Sequence, residues 1–266
     1  MRRALICVFA LLAPVAAPAA DAAGYVLEVQ GRWLQKGDAA ALTVGAALPA
    51  GALVMAPAPT AGDRITVVAA RTGGVLLARR CDDAIACRRA VALPIAPAAP
   101  ANGLLERLFA VLAARPDRYV TTLNRAATSP DDEVLVWDAG RLDLGPMLAG
   151  RQEAVYDITL TPLSCPGLVR CSDAPVEARL VWSPRAPVTT VELAQAGLFE
   201  LSLRRSGQSA ALPPERNWIL AVTRADAAAA RDTLRDAAAL ADSWGAVVDA
   251  DAKRVFTRAA MSIAHR

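Results

Sequence analysis

The chain has 266 residues, 55% of them hydrophobic, and a formal net charge of +3, which is the balance of an ordinary globular protein. Two positive charges, Arg2 and Arg3, lie in a predicted export signal, so the mature chain is nearly neutral. This charge argues against a nucleic-acid partner, and the length remaining after signal removal is sufficient for two modest domains.

Residues 1–22 have the pattern of a signal peptide. Met1, Arg2 and Arg3 give a positive start, residues 4–15 are apolar but too few to span a bilayer, and small residues precede residue 23. No later stretch approaches about 18 uninterrupted apolar residues. We therefore expect a periplasmic or secreted protein without a membrane span once the signal is removed.

Residues 23–96 predict a small β-rich domain. Side chains alternate in character from Tyr25 to Gln30, and further strands are predicted at residues 64–70 and 75–79. Gly73 and Gly74 between those strands supply the positive φ angles that a tight hairpin requires.

Apolar and glycine residues recur at every third position in this domain, which indicates closely spaced turns that return to one core. They are Leu42, Gly45, Leu48, Gly51 and Val54. Followed by residues 63–69 and the Gly73-Gly74 turn, this pattern resembles the periplasmic β-domain of FecR-type sensors. The resemblance implies a small β-domain at the start of the mature chain.

Residues 97–130 are predicted to contain a linker and a docking helix. Pro94, Pro97 and Pro100 favour an extended backbone. Asn102 can begin a helix that Pro116 ends, with an apolar stripe typical of a helix that packs between two domains. The members of the stripe are Leu104, Leu105, Leu108, Phe109, Val111 and Leu112.

Residues 131–223 predict an immunoglobulin-like β-sandwich of about seven strands. The predicted strands are residues 133–138, 141–144, 155–161, 176–183, 189–193, 198–205 and 218–223. Tyr156, Ile158 and Leu160 alternate with polar residues and should face the core. Trp182 and Trp218 are the aromatic residues that we expect there.

Residues 224–266 predict a C-terminal pair of helices. Asp226 can open the first helix, Gly245 can end it, and Asp249 or Asp251 can begin the second. The fold class is therefore mainly β with helical additions (α+β). This layout, with the segment Gly-Leu-Phe-Glu-Leu at residues 197–201, also resembles a group of exported bacterial proteins.

Four cysteines form two pairs with identical spacing, Cys81 with Cys87 and Cys165 with Cys171. In the oxidising environment that an exported chain reaches, these cysteines can form disulfides. Four cysteines allow three connectivities, and pairing by proximity in sequence is the simplest. Structural zinc sites usually have two to four residues between paired ligands. We therefore predict two disulfides and no metal.

Catalytic motifs are scarce. The single histidine, His265, is the penultimate residue, which argues against a catalytic triad and excludes a His-Glu-x-x-His zinc site. Carboxylates remain, at residues 131–133 and at Asp82 and Asp83, but adjacent acids on turns are usually solvated. We expect a non-enzymatic protein without a cofactor; the alternative is a carboxylate-dependent hydrolase.

One cluster of charges is a candidate surface for binding a partner. It consists of four arginines that flank the first cysteine pair, Arg79, Arg80, Arg88 and Arg89, and we call these four residues the arginine frame. Guanidinium groups on a stapled loop suit carboxylates, phosphates or an acidic protein surface. The competing interpretation is that Asp82 and Asp83 neutralise them at a sheet edge. The sequence thus predicts an exported binding or scaffolding protein with a protein partner in the cell envelope, or else a periplasmic accessory of a membrane sensor or transporter.

Overall fold

The computed structural model describes residues 22–82, 84–94, 103–114, 133–164, 174–183, 185, 187–208 and 215–264. Within these residues the fold is mainly β with helical additions, which confirms the predicted α+β class. Residues 1–21 of the predicted signal peptide lie outside the described residues, as do residues 97–102 and 115–130 of the predicted linker and docking-helix segment, and the domain boundaries stay predictions.

Residues 22–94 form two small sheets and a short helix. The strands are β1 (Ala22–Gln30), β2 (Leu34–Gln35), β3 (Ala47–Pro49), β4 (Leu53–Met55), β5 (Arg64–Ala69), β6 (Val75–Arg80) and β7 (Val91–Ala92). One sheet has the order β3-β1-β5-β6 and the other β2-β4-β7. Helix α1 (Ala84–Arg88) lies between β6 and β7.

The residues repeated at every third position do return to one core. Leu48 and Val54 are fully buried there with Trp33, while Gly45 and Gly51 adopt positive φ angles. The hairpin between β5 and β6 differs in detail from the prediction. Only Gly73 has a positive φ (71°), because the loop is longer than two residues and is closed by hydrogen bonds between Ala69 and both glycines.

All seven strands predicted in the second half form, with ends within a few residues of those expected. They are β8 (Glu133–Asp138), β9 (Arg141–Asp143), β10 (Ala154–Ser164), β11 (Val176–Trp182), β12 (Thr190–Glu192), β13 (Gly197–Arg205) and β14 (Glu215–Val222). Helix α3 (Gly145–Leu148) follows β9.

These strands belong to one sheet with the order β11-β10-β13-β14-β8-β9-β12. The sheet curves until its ends nearly meet: Val181 of β11 and Val188, just before β12, exchange backbone hydrogen bonds of 3.0 and 2.8 Å. The face enclosed by this curvature provides the core that a sandwich forms between two sheets. An immunoglobulin-like assignment stays a prediction.

The alternation in β10 is confirmed, because Tyr156, Ile158 and Leu160 are buried in the enclosed core. The placement of the two tryptophans needed correction. Trp182 is only half-buried at the margin of that core, since β11 lies at one end of the sheet order. Trp218 is buried, but it lies on the opposite face, which is covered by helices.

Three longer helices cover that face: α2 (Gly103–Ala114), α4 (Ala227–Ser243) and α5 (Ala250–Ala264). Gly245, with a φ of 54°, follows α4 as predicted, and the carboxylate of Asp249 accepts a 2.9 Å hydrogen bond from the backbone N–H of Asp251. None of the helices described is long and apolar enough to cross a membrane.

Helix α2 contacts both halves of the described chain. The ring of Phe109 stacks on Tyr25 of β1 with centroids 4.6 Å apart, and it lies 6.0 Å from Phe256 of α5. Buried residues from β1, the curved sheet and the helices belong to one continuous cluster. The apolar stripe of α2 therefore packs as the sequence predicts.

Candidate functional site

Cys81 and Cys87 form a disulfide at the end of the first sheet. Cys81 follows β6, Cys87 lies on α1, and their Cα atoms are 5.7 Å apart. Both side chains are buried in the core of the first half. The predicted pairing of these two cysteines is confirmed, whereas Cys165 and Cys171 lie outside the described residues.

Backbone hydrogen bonds fix the ends of the disulfide loop. The N–H of Cys81 donates to the carbonyl of Asp63 (2.7 Å), and the carbonyl of Cys87 accepts from Ala56 (3.2 Å). Asp63 is itself buried, and its carboxylate accepts hydrogen bonds from the backbone and hydroxyl of Thr60. The loop thus starts and ends on rigid structure.

Arg79, within the arginine frame, has a structural task. Its guanidinium donates hydrogen bonds to the carbonyl oxygens of Arg89 (2.8 Å) and Ala86. These carbonyls lie at the C-terminal end of α1, and that of Ala86 also accepts a 3.2 Å hydrogen bond from the backbone N–H of Arg89. Arg79 therefore holds the helix against β6, a role that spacing in the sequence did not reveal.

The other three arginines point to solvent. Arg80 forms an ion pair with Asp82 (3.3 Å), but both side chains are largely exposed, so the pair contributes little to stability. Arg88 and Arg89 are exposed and form no ion pair with a described residue. Asp83, the other expected counter-charge, lies outside the described residues.

Ile85, on the same helix, is 68% exposed and precedes Arg88 and Arg89 by three and four positions. That spacing places Ile85 and Arg88 on one side of the helical turn, and Arg89 directly follows the helix. An exposed apolar side chain therefore lies beside Arg88 of the arginine frame.

The predicted carboxylate candidates do not assemble into a catalytic site within the described residues. Glu133 is the first residue of β8, Asp82 pairs with Arg80, and Asp131 and Asp132 lie outside the described residues, as does His265. No group of three His, Cys, Asp or Glu side chains in the described ranges could hold a metal ion.

Sequence reasoning missed a partly buried ionic cluster between β1, β5 and the residue before α5. Arg64 forms ion pairs with Glu28 and, at 3.4 Å, with Asp249. Burial raises the pKa of Glu28 above its ordinary value, and the opposing effect of the Arg64 guanidinium does not cancel this. Because its members are far apart in sequence, no local pattern could have indicated the cluster.

Sequence reasoning also missed a polar concavity on the curved sheet, which we call the sheet groove. It has a volume of about 570 Å³ and lies on β10, β11 and β13. Its polar lining side chains are Asp157, Thr159, Glu177, Arg179, Ser202 and Arg204. Their alternation with core residues was visible in the sequence, but a solvated face gives the same signal.

Comparison with known protein families, curated proteins and solved structures finds no match for this chain. The resemblance to FecR-type sensors and to exported bacterial proteins therefore remains an expectation from sequence. Proposals about function depend on the surfaces described above.

Proposed function

We propose that this chain is an exported, non-enzymatic binding or scaffolding protein of the bacterial envelope, and that the arginine frame binds its protein partner. The observation that carries the proposal is the exposure of Ile85 beside Arg88 and Arg89 on a loop closed by a buried disulfide. Arginine and apolar side chains together are typical of the centres of protein interfaces.

Preorganisation supports the same proposal. The Cys81–Cys87 bond and the hydrogen bonds of Arg79 fix α1 before any partner arrives. A surface that is already ordered loses less conformational entropy on binding than a flexible one. Guanidinium groups also favour acidic partners, so we expect an acidic surface on the partner and binding that weakens with salt.

Charge reversal tests the proposal without disturbing Arg79. The double variant Arg88→Glu and Arg89→Glu should weaken cross-linked capture of a partner from native envelopes and reduce its salt dependence. The matched control, Arg32→Glu with Arg141→Glu, makes the same charge change at two other exposed arginines. Equal capture by both variants contradicts the proposal, provided that both melt within a few degrees of the parent.

Two alternatives have distinct outcomes. A carboxylate-dependent hydrolase predicts turnover in glycosidase and esterase screens of the oxidised protein, whereas the proposed function predicts background rates. A periplasmic accessory predicts that the captured partner is a membrane sensor or transporter. That result would narrow the proposed function without overturning the role of the arginine frame.

A further inference from the structure

The sheet groove is a second surface that uses no residue of the arginine frame. Three strands build it, in the order β11, β10 and β13. Side chains two residues apart on a strand share a face, and directly paired residues on neighbouring strands lie side by side. The register therefore determines which groups meet in the groove.

Two rows of polar side chains cross these strands. In the first row Arg179 pairs with Asp157, and Asp157 pairs with Arg204; in the second, Glu177 pairs with Thr159, and Thr159 with Ser202. The next row along the strands begins with Val181 beside Val155, both more than one-third exposed. The groove thus combines charges and hydroxyls, and two exposed valines lie beyond its lining in the next row.

The carboxylate of Asp157 is already satisfied by the protein. It accepts a 2.9 Å hydrogen bond from Nε of Arg179 and another from the hydroxyl of Ser206. The hydrogen bond from Arg179 is the largest of the effects that hold the pKa of Asp157 below its ordinary value, so the group stays ionised. Asp157 and Arg179 therefore neutralise each other.

Arg204 and Glu177 remain without such partners. Arg204 makes no hydrogen bond or ion pair with a described residue, although its positive charge on the neighbouring strand also helps to lower the pKa of Asp157. Glu177 likewise forms no hydrogen bond or ion pair with a described residue, and its side chain is exposed. Because Arg204 is only half-buried, a ligand in the groove can supply an acceptor for its guanidinium group.

The two groups are spaced for a ligand with opposite charges at its ends. They lie two strands apart, about 10 Å across the sheet, and are offset by two residues, about 7 Å along it. Their long side chains can converge on a ligand roughly 10 Å long, which is the length of an extended tripeptide at about 3.4 Å per residue.

We propose that the sheet groove binds a short peptide with free ends, its carboxylate on Arg204 and Ser202 and its ammonium group on Glu177. The hydroxyl of Thr159 lies between these ends and can donate to a peptide carbonyl. Val155 and Val181, which lie next to the groove lining, can provide apolar contact for a side chain at its margin. The volume of about 570 Å³ is within the usual range for small-ligand sites.

Trialanine in three forms (with free ends, with an acetylated amino end and with an amidated carboxyl end) tests the proposal. Each form is titrated into the full oxidised protein, and binding is measured by NMR or calorimetry. The free peptide should bind, and acetylating its amino end or amidating its carboxyl end should each weaken binding at least about fivefold, because each cap removes one charged contact. Backbone amide shifts should concentrate on β10, β11 and β13.

Two single variants test which residue binds each end of the peptide. Arg204→Gln should bind the free and amidated peptides equally weakly, and Glu177→Gln should bind the free and acetylated peptides equally weakly. Arg205→Gln is the matched control, since it changes the next residue, which is outside the groove lining. Reversal of Arg88 and Arg89 should leave peptide binding unchanged, so this proposal and the proposed function can fail separately.

Three results would overturn the proposal. They are no binding of trialanine at millimolar concentration, equal binding of the free and capped peptides, or equal effects of Arg204→Gln and Arg205→Gln. A fourth such result is weakening by amidation alone, with no effect of acetylation, because the groove would then be an anion site and not a peptide site. The capped-peptide comparison needs no variant, so misfolding of a variant cannot obscure the outcome.

Discussion

The guanidinium carbon of Arg258 lies 5.1 Å from the centre of the Trp218 ring, and this contact joins the last helix to the curved sheet. Both residues are almost completely buried. The positive group over the ring face is attracted by the ring quadrupole, and the attraction is stronger away from water.

Replacing Trp218 should therefore destabilise the fold strongly. We expect Trp218→Ala to lower the free energy of unfolding by about 3–5 kcal/mol, through lost burial and a residual cavity. Trp182→Ala should cost clearly less, because Trp182 is half-buried. Urea unfolding measures both, and equal losses would contradict the placement of the two rings on opposite faces of the sheet.

The close approach of Gly73 to helix α4 predicts a specific sensitivity. A Cβ at Gly73 would lie 2.7 Å from a methyl carbon of Leu240, and the carbonyl of Gly73 accepts a 2.7 Å hydrogen bond from the indole of Trp244. Gly73→Ala should cost about 1–2 kcal/mol from its positive φ, plus a smaller cost for displacing the half-buried Leu240 side chain.

Gly207 provides the matched control for this substitution. It has a similar φ of 82°, but a Cβ there would meet nothing within 4 Å. Gly207→Ala should show the backbone cost alone in thermal or urea unfolding. If Gly73→Ala is no worse than Gly207→Ala, the hairpin does not pack on α4 as described.

Glu28 should make the free energy of unfolding depend on pH in a recognisable way. Its pKa is raised above 4.5 in the folded state, so the folded protein keeps a proton that the unfolded chain has already released. The stabilisation linked to that proton is complete below the unfolded pKa and is lost as the pH rises through the folded value.

The variant Glu28→Gln removes this titration. The free energy of unfolding of the parent, minus that of Glu28→Gln, should fall as the pH rises from below the unfolded pKa of the carboxyl group through its raised folded value. Asp157→Asn is a control of opposite sign, because the pKa of Asp157 is lowered and its stabilisation appears as the pH rises. A difference for Glu28→Gln that rises with pH would show that Arg64 outweighs burial.

The Cys81–Cys87 bond should contribute about 2 kcal/mol, as expected for closing so short a loop in the unfolded chain. Replacing both cysteines with alanine should lower the unfolding free energy by this amount. Peptide mapping without reductant checks the pairing. A peptide that joins Cys81 or Cys87 to Cys165 or Cys171 would contradict it.

Local patterns predicted most elements, and long-range contacts account for what they missed. Alternation located β10, β11 and β13, because each strand has one face in a core. It could not show that Trp182 lies near an end of the sheet order. Nor could it show that the sheet is nearly closed by Val181 and Val188, since one of these residues lies in a loop.

In the candidate site, too, local patterns predicted some features and long-range contacts account for the others. Cysteine spacing identified the stapled loop, but the hydrogen bonds of Arg79 to carbonyl groups depend on how α1 folds back on β6. The sheet groove depends on register between strands that are separated in sequence, so its residues appeared only as a solvated face.

The most direct test of the proposed partner surface is a photo-reactive amino acid placed at Ile85. Position 247 is the matched control, since Val247 is also exposed, at 57%, and belongs to a short helix elsewhere in the chain. Irradiation in native envelopes should give one discrete adduct at position 85, which the reversal of Arg88 and Arg89 removes, and none at position 247. No adduct at position 85, or the same adducts at both positions, would contradict a binding role for the arginine frame.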